Sequence, residues 1–147
     1  MLRMNGSLHV LLAEDGAINQ RVFRAILEKE GHTLRLTDNG RDALAAFDAE
    51  RFDVILLDVQ MPEMDGLEVA AAIRAREQGT GRHTPLLGVS AHADRATCLA
   101  AGMDNHVAKP VQPRQLLQAL AEALSVAGAV SAEEPPHLRK RSSMRKP

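Results

Sequence analysis

Apolar residues in this chain occur in two textures. Short continuous runs alternate with longer stretches in which they return every third or fourth position. The run Leu8–Ala13, LHVLLA, predicts a buried strand, and in EDGAINQRVFRAILEKEG the residues Ile18, Val22, Ile26 and Leu27 recur at helical spacing until Gly31 stops the helix. HTLRLTD alternates as a strand does, with Leu34 and Leu36 on one face. GRDALAAFDAERF then places Ala43, Leu44 and Phe47 on one helical stripe. DVILLD is again a continuous apolar strand, followed by a helix over Leu67–Glu77 with Leu67, Ala70, Ile73 and Arg74 at helical spacing. TPLLGVSA reads as a strand, DRATCLAAG as a short helix ended by Gly102, and NHVAKP as a brief strand closed by Pro110. The last helix is PRQLLQALAEALS, with Leu116, Leu117, Leu120 and Leu124 on its apolar side.

The order is βα repeated five times. Strands apolar on both faces, alternating with amphipathic helices, imply a parallel sheet covered on each side. Right-handed crossovers make that a doubly wound sheet, and ligands in such folds sit beyond the carboxyl ends of the strands, where strand order reverses. Residues 8–127 form the domain, after an N-terminal extension over 1–7. From Gly128 the texture changes to Pro-Pro, Ser-Ser and the basic residues Arg139, Lys140, Arg141, Arg145 and Lys146, so 128–147 reads as a flexible basic tail or linker.

Composition narrows the function. The 147 residues are 45% hydrophobic, enough for a core, but only 2% aromatic, with three Phe and no Tyr or Trp. That argues against single-stranded nucleic-acid binding through stacked bases. A formal net charge of -1 gives no global field toward nucleic acid or an anionic membrane. No apolar run approaches membrane-spanning length, and the N-terminus lacks a signal-peptide pattern. The single cysteine, Cys98, forms no internal disulfide. The expectation is a cytoplasmic protein without membrane contact.

The polar residues that close the apolar strands carry the chemistry. Glu14 and Asp15 follow the first strand, Asp58 ends the third, Ser90 the fourth, and Lys109 precedes Pro110 after the fifth. In a parallel sheet these converge on one rim. Three carboxylates together repel, which raises at least one pKa. A hard divalent cation, Mg²⁺ or Mn²⁺, relieves that repulsion, with oxygens from Glu14, Asp15, Asp58 and the backbone carbonyl of Gln60. The six histidines are scattered and no Cys/His cluster offers a zinc site. Taken singly, each residue has a plainer account: a strand-end cap, an acidic helix start, a turn serine, a surface lysine. Their common placement at strand ends outweighs those accounts. Asp65, before Gly66, reads as a helix N-terminal residue and not a catalyst.

The acidic pair in LLAEDG, the segment LLDVQMPEMDG, GVSAHA and GMDNHVAKP together resemble the response-regulator receiver domain of two-component signalling, over about Leu8–Val126. EDGAINQ with SAHA is most similar to receivers attached to hybrid sensor kinases. The resemblance implies a flavodoxin-like (βα)5 fold, a five-stranded parallel sheet in a three-layer α/β/α arrangement. It implies Asp58 as phosphoryl acceptor, Asp15 as a direct Mg²⁺ ligand and Glu14 as one through water. It also implies Ser90 on a phosphoryl oxygen, Lys109 bridging acceptor and phosphoryl group, a cis Lys109–Pro110 peptide, and His106 at a switch position usually aromatic. Its partners are a sensor histidine kinase or a histidine phosphotransfer domain, and it catalyses its own phosphorylation and dephosphorylation. The side chains of Gln60 and His92, each two residues past a site residue, are expected to tune phosphoryl lifetime.

Two departures stand out. Gly16 takes a place where hybrid-kinase receivers often carry Asn, and His106 replaces an aromatic residue with a group that titrates near neutrality. Three rivals remain in view. A pseudo-receiver would act as a phosphorylation-independent interaction module. An aspartate-nucleophile phosphohydrolase would need a general acid where Gln60 stands. A nucleotide-binding flavodoxin-like protein would need a phosphate-cradling glycine loop, which is absent.

Overall fold

A computed structural model describes residues 6–92 and 94–132. Five strands, β1 (His9–Ala13), β2 (Thr33–Thr37), β3 (Val54–Asp58), β4 (Leu86–Ser90) and β5 (Asn105–Ala108), alternate with five helices. The helices are α1 (Ala17–Lys29), α2 (Gly40–Ala49), α3 (Gly66–Glu77), α4 (Arg95–Ala100) and α5 (Pro113–Ala132). The strands are all parallel in the order β2-β1-β3-β4-β5. The order reverses between β1 and β3, and that crevice receives the ends of both.

Every residue of β3 and β4 is buried, which is why both read as unbroken apolar runs. Alternate strand residues feed two cores. Val10, Leu12, Leu56 and Val89 pack under α1 and α5 with Phe23, Leu27, Leu116 and Leu120. Leu11, Ala13, Ile55, Leu57 and Leu86 pack under α2, α3 and α4 with Ala43, Val69, Ile73, Cys98 and Met103. Asp65 caps α3 in a full capping box with Glu68.

Two expectations about helix faces need correction. Ile18 is 75% and Val22 37% exposed, and the inward side of α1 is Phe23, Ile26 and Leu27. Residues four apart precess about 40° around a helix, so a row that begins at Ile18 reaches the core only at Ile26. Helix α5 also continues to Ala132, with Ala123 and Ala127 extending the buried stripe of Leu116 and Leu120. Gly128 therefore lies inside a helix and not at its end. The basic residues Arg139–Lys146 and residues 1–5 lie outside the described residues.

Candidate functional site

The strand ends bring five side chains to one rim. Asp58, the last residue of β3, is 2% exposed, Glu14 1% and Ser90 1%, while Asp15 is exposed. Carboxylate oxygens of Glu14, Asp15 and Asp58 lie within 4.8 Å of one another. Lys109 reaches in from beyond β5, its Nζ 3.2 Å from Asp58 Oδ2 and 3.3 Å from Glu14 Oε1. The Lys109–Pro110 peptide is cis, and the Lys109 N–H donates to the Ser90 carbonyl at 3.0 Å.

The backbone makes room for this pocket. A β-carbon on Gly66 would stand 2.4 Å from the Asp58 carbonyl oxygen, so only glycine lets the chain fold back this closely after the strand. The Gly66 N–H donates to the Val59 carbonyl at 3.1 Å and closes the intervening loop. Inside it, the exposed Gln60 donates its N–H to Asp58 Oδ1 at 3.1 Å.

Glu14 is the most tightly fixed of the acids. Its Oε2 accepts the Gly16 N–H at 3.0 Å and lies 3.5 Å from Asn19 Nδ2, at the long limit of a hydrogen bond. Its carbonyl accepts Gln20 Nε2 at 2.6 Å, and its N–H donates to the Thr37 carbonyl at 3.0 Å. Gly16 thus serves Glu14, and α1 begins without a side-chain cap. Gln20 was not legible as a site residue, because nothing local links it to a carbonyl six positions back.

The electrostatics follow from burial. Desolvation, then the Glu14 charge, raise the Asp58 carboxyl to about 6, against partial relief from the Gln60 N–H and Lys109. Burial pulls Lys109 down, but Asp58 and Glu14 outweigh it and hold the ammonium above its ordinary range. Glu14 Oε1 is buried and, although within ion-pair range of Lys109, has no partner in hydrogen-bond geometry. A buried carboxylate oxygen without a donor, beside two more carboxylates, is a hard-oxygen donor set suited to a small divalent cation.

Ser90 Oγ accepts the His92 N–H at 3.0 Å, and the His92 side chain is exposed. His106 lies beside Gly88 across the β4–β5 pair, with Nε2 buried and lacking a hydrogen-bond partner. Burial first, then Arg95, lowers its pKa below the usual imidazole value, and Asp94 partly opposes them. A groove of about 270 Å³ beside it is lined by Arg95, Asn105, His106, Gln115, Gln118 and Glu122, among others.

The family model for the response regulator receiver domain matches residues 10–121. A sensor histidine kinase of Pseudomonas aeruginosa, AruS, is 40% identical over 119 residues, covering 79% of this chain and 12% of the kinase. A hybrid signal transduction histidine kinase of Dictyostelium discoideum is 36% identical over 119 residues, covering 76% of this chain and 7% of that protein. The chain therefore spans about a tenth of the length of these curated relatives. Among solved structures, the receiver domain of the sensor histidine kinase PA1611 of Pseudomonas aeruginosa, with a magnesium ion in its active-site cleft, aligns with a TM-score of 0.72 at 33% identity. That alignment covers 82% of this chain and 99% of that one. The chemotaxis protein CheY4 of Vibrio cholerae aligns with a TM-score of 0.72 at 30% identity, covering 80% of this chain and 99% of that one.

Proposed function

The chain belongs to the response regulator receiver family of two-component signalling, and from that premise we propose that Asp58 is a phosphoryl acceptor served by a phosphohistidine donor. The observation that carries this reading is a buried strand-end carboxylate with a cation at 3.2 Å and two further acids beside it. An Asp58 oxygen attacks phosphorus, the bond from phosphorus to the donor imidazole breaks, and an acyl phosphate forms on Asp58. Lys109 meets the charge that the transferred group brings, and the Ser90 hydroxyl donates to one of its oxygens. Bound Mg²⁺ or Mn²⁺, held by Glu14, Asp15, Asp58 and the Gln60 carbonyl, would supply further neutralisation of phosphoryl charge. The exposed Gln60 and His92 side chains flank the acceptor and set how readily water reaches it.

Access favours a protein donor. Ile18 and Val22 stand exposed one turn apart on α1, directly after the acidic pair. They form an apolar seat beside the acceptor for a histidine kinase or histidine phosphotransfer domain. Once phosphorylated, Ser90 moves inward and His106 follows, which changes the face made by α4, β5 and α5. Cys98 is buried and unpaired, which suits the cytoplasm. No helix among the described residues is long and apolar enough to cross a membrane.

Intact-mass measurement after incubation with Mg²⁺ and acetyl phosphate tests the proposal. The expected result is a phosphoryl adduct on the wild type that is absent in Asp58→Asn and lost with EDTA. Failure to form the adduct, together with failure to bind beryllofluoride and Mg²⁺, would make a phosphorylation-independent interaction module the better reading.

A further inference from the structure

The connection from β2 to α2 touches both loops that carry the acidic pocket. At its start, the Thr37 carbonyl accepts the Glu14 N–H at 3.0 Å, and Thr37 Oγ1 donates to the Leu12 carbonyl at 3.1 Å. At its end, Asn39 caps α2 by accepting the Asp42 N–H at 2.7 Å, and the buried Gly40 begins the helix. A β-carbon on Gly40 would lie 2.5 Å from the Met64 carbonyl oxygen, 2.8 Å from Val69 Cγ2 and 3.0 Å from Met64 Cγ. The first of these is a backbone atom, so a side chain at position 40 must displace the loop itself. Gly40 has no positive φ, so glycine is required here for space and not for backbone conformation.

The loop it supports runs from Val59 to Asp65. Its base is pinned, with the Val59 N–H on the Val89 carbonyl at 2.9 Å and the Gly66 N–H on the Val59 carbonyl at 3.1 Å. Its tip is a tight turn, with the Met64 N–H on the Pro62 carbonyl at 2.8 Å and Glu63 at a φ of 68°. Gln60 lies between the pinned base and the seated tip. We propose that Gly40 is a positioning residue: by letting the start of α2 lie directly against Met64, it holds Gln60 where its N–H meets Asp58 and its carbonyl completes the oxygen set for the cation. The proposal rests on the reading of the acidic pocket as a Mg²⁺ site. It makes α2, which contributes no ligand, part of what sets metal affinity.

The test compares wild type, Gly40→Ala, a same-helix control Ala46→Gly, and Asp15→Asn as a metal-site control. Mg²⁺ binding is read by calorimetry, and the Gln60 amide by NMR in the metal-free chain. Gly40→Ala is expected to weaken Mg²⁺ about tenfold and to shift and deprotect the Gln60 amide, while Ala46→Gly leaves both near wild type. Equal Mg²⁺ affinity and an unmoved Gln60 amide in folded Gly40→Ala would overturn the proposal, as would equal losses in Ala46→Gly. Where Gly40→Ala does not fold, Asn39→Ala keeps Gly40 and removes the hydrogen bond that fixes the start of α2. It should weaken Mg²⁺ and move the Gln60 amide in the same direction, and unchanged values of both there also overturn the proposal. A wild type that binds no Mg²⁺ refutes the reading of the pocket instead, and the Gln60 amide still decides the role of Gly40.

Discussion

The Lys109 ammonium stands 3.2 Å from Asp58 Oδ2, yet the Asp58 carboxyl is raised to about 6. One cation shared with Glu14 does not compensate the desolvation of a carboxylate that is 2% exposed. The metal-free pocket is therefore under electrostatic load.

Asp58→Asn should stabilise the metal-free chain at pH 7 by about 1 to 2 kcal/mol, since it removes the charge that burial penalises. The sign with pH follows. Folded Asp58 holds its proton up to about 6 where an ordinary Asp releases it near 3.8. The folded state thus binds more protons in that window, and this residue's contribution to stability grows as pH falls from about 6 toward 3.8. Thermal unfolding of wild type and Asp58→Asn at pH 4, 5, 6 and 7 should show the gap closing toward acid. A gap that widens on acidification would contradict it. Phosphoryl acceptance should fall over the same range, because the protonated acid is a poor nucleophile.

His106 should respond to pH in the opposite sense to Asp58. Its folded pKa is lowered, so its buried seat favours the neutral imidazole. That preference is complete above 6.5 and is lost as pH falls below it. Between about pH 7.5 and about pH 5, a window that spans the lowered folded value, the ring should leave its seat beside the groove that Arg95 and Glu122 also line. Ring resonances of His106, followed by NMR, should report the change, and His106→Tyr should abolish it. Identical conformer populations at both pH values would remove the idea.

Glu63 holds a φ of 68° without being glycine. Glu63→Gly should relieve about 1 kcal/mol of backbone strain, visible as a higher midpoint in urea at unchanged m-value. A lower midpoint would mean that the chain entropy added by glycine outweighs the strain.

Arg74 sits at the centre of a buried network beside the N-terminal ends of β4 and β5, at the opposite end of the strands from the acids. It reaches Asp104 Oδ2 at 2.9 Å and Glu77 Oε1 at 2.6 Å, and donates to the carbonyls of Gly102 and Thr84. His83 Nε2 lies 2.7 Å from Asp104 Oδ1. Arg74→Met leaves two carboxylates buried without their main cation and should cost about 3 to 5 kcal/mol. Chemical denaturation measures this, and a loss below about 1 kcal/mol would mean that water enters to replace the guanidinium.

The sequence carried what local pattern can encode. The βα alternation and the layer assignment follow from apolar runs that alternate with periodic stretches, whereas the order β2-β1-β3-β4-β5 depends on pairings distant in sequence. The pocket follows because polar residues at the ends of parallel strands must share a rim. Asp65 was legible as a helix start from its place before Gly66, and the structure adds a full capping box with Glu68. What stayed hidden depends on contacts distant in sequence or on weak apolar residues. Phe23 outranked Ile18 and Val22 only once the direction of the core was known. The end of α5 was hidden because Ala123 and Ala127 bury little area each. Arg74 was placed on an apolar stripe, and it does lie along that face, but its partners at 84, 102 and 104 share no local motif with it.

The Arg74 contact with Gly102 also limits how α4 can respond to a change at Ser90. The helix is six residues long, and its C-terminal end is fastened by that guanidinium while Cys98 is fully buried against the sheet. Its opposite end, at Asp94 and Arg95, lies near Ser90 and rests on the hydrogen bond from Arg95 to Asn105. If Ser90 shifts on phosphorylation as proposed, it would act on a lever with a fixed pivot. What a partner would sense on this face is a tilt, largest next to His106 and vanishing toward Gly102.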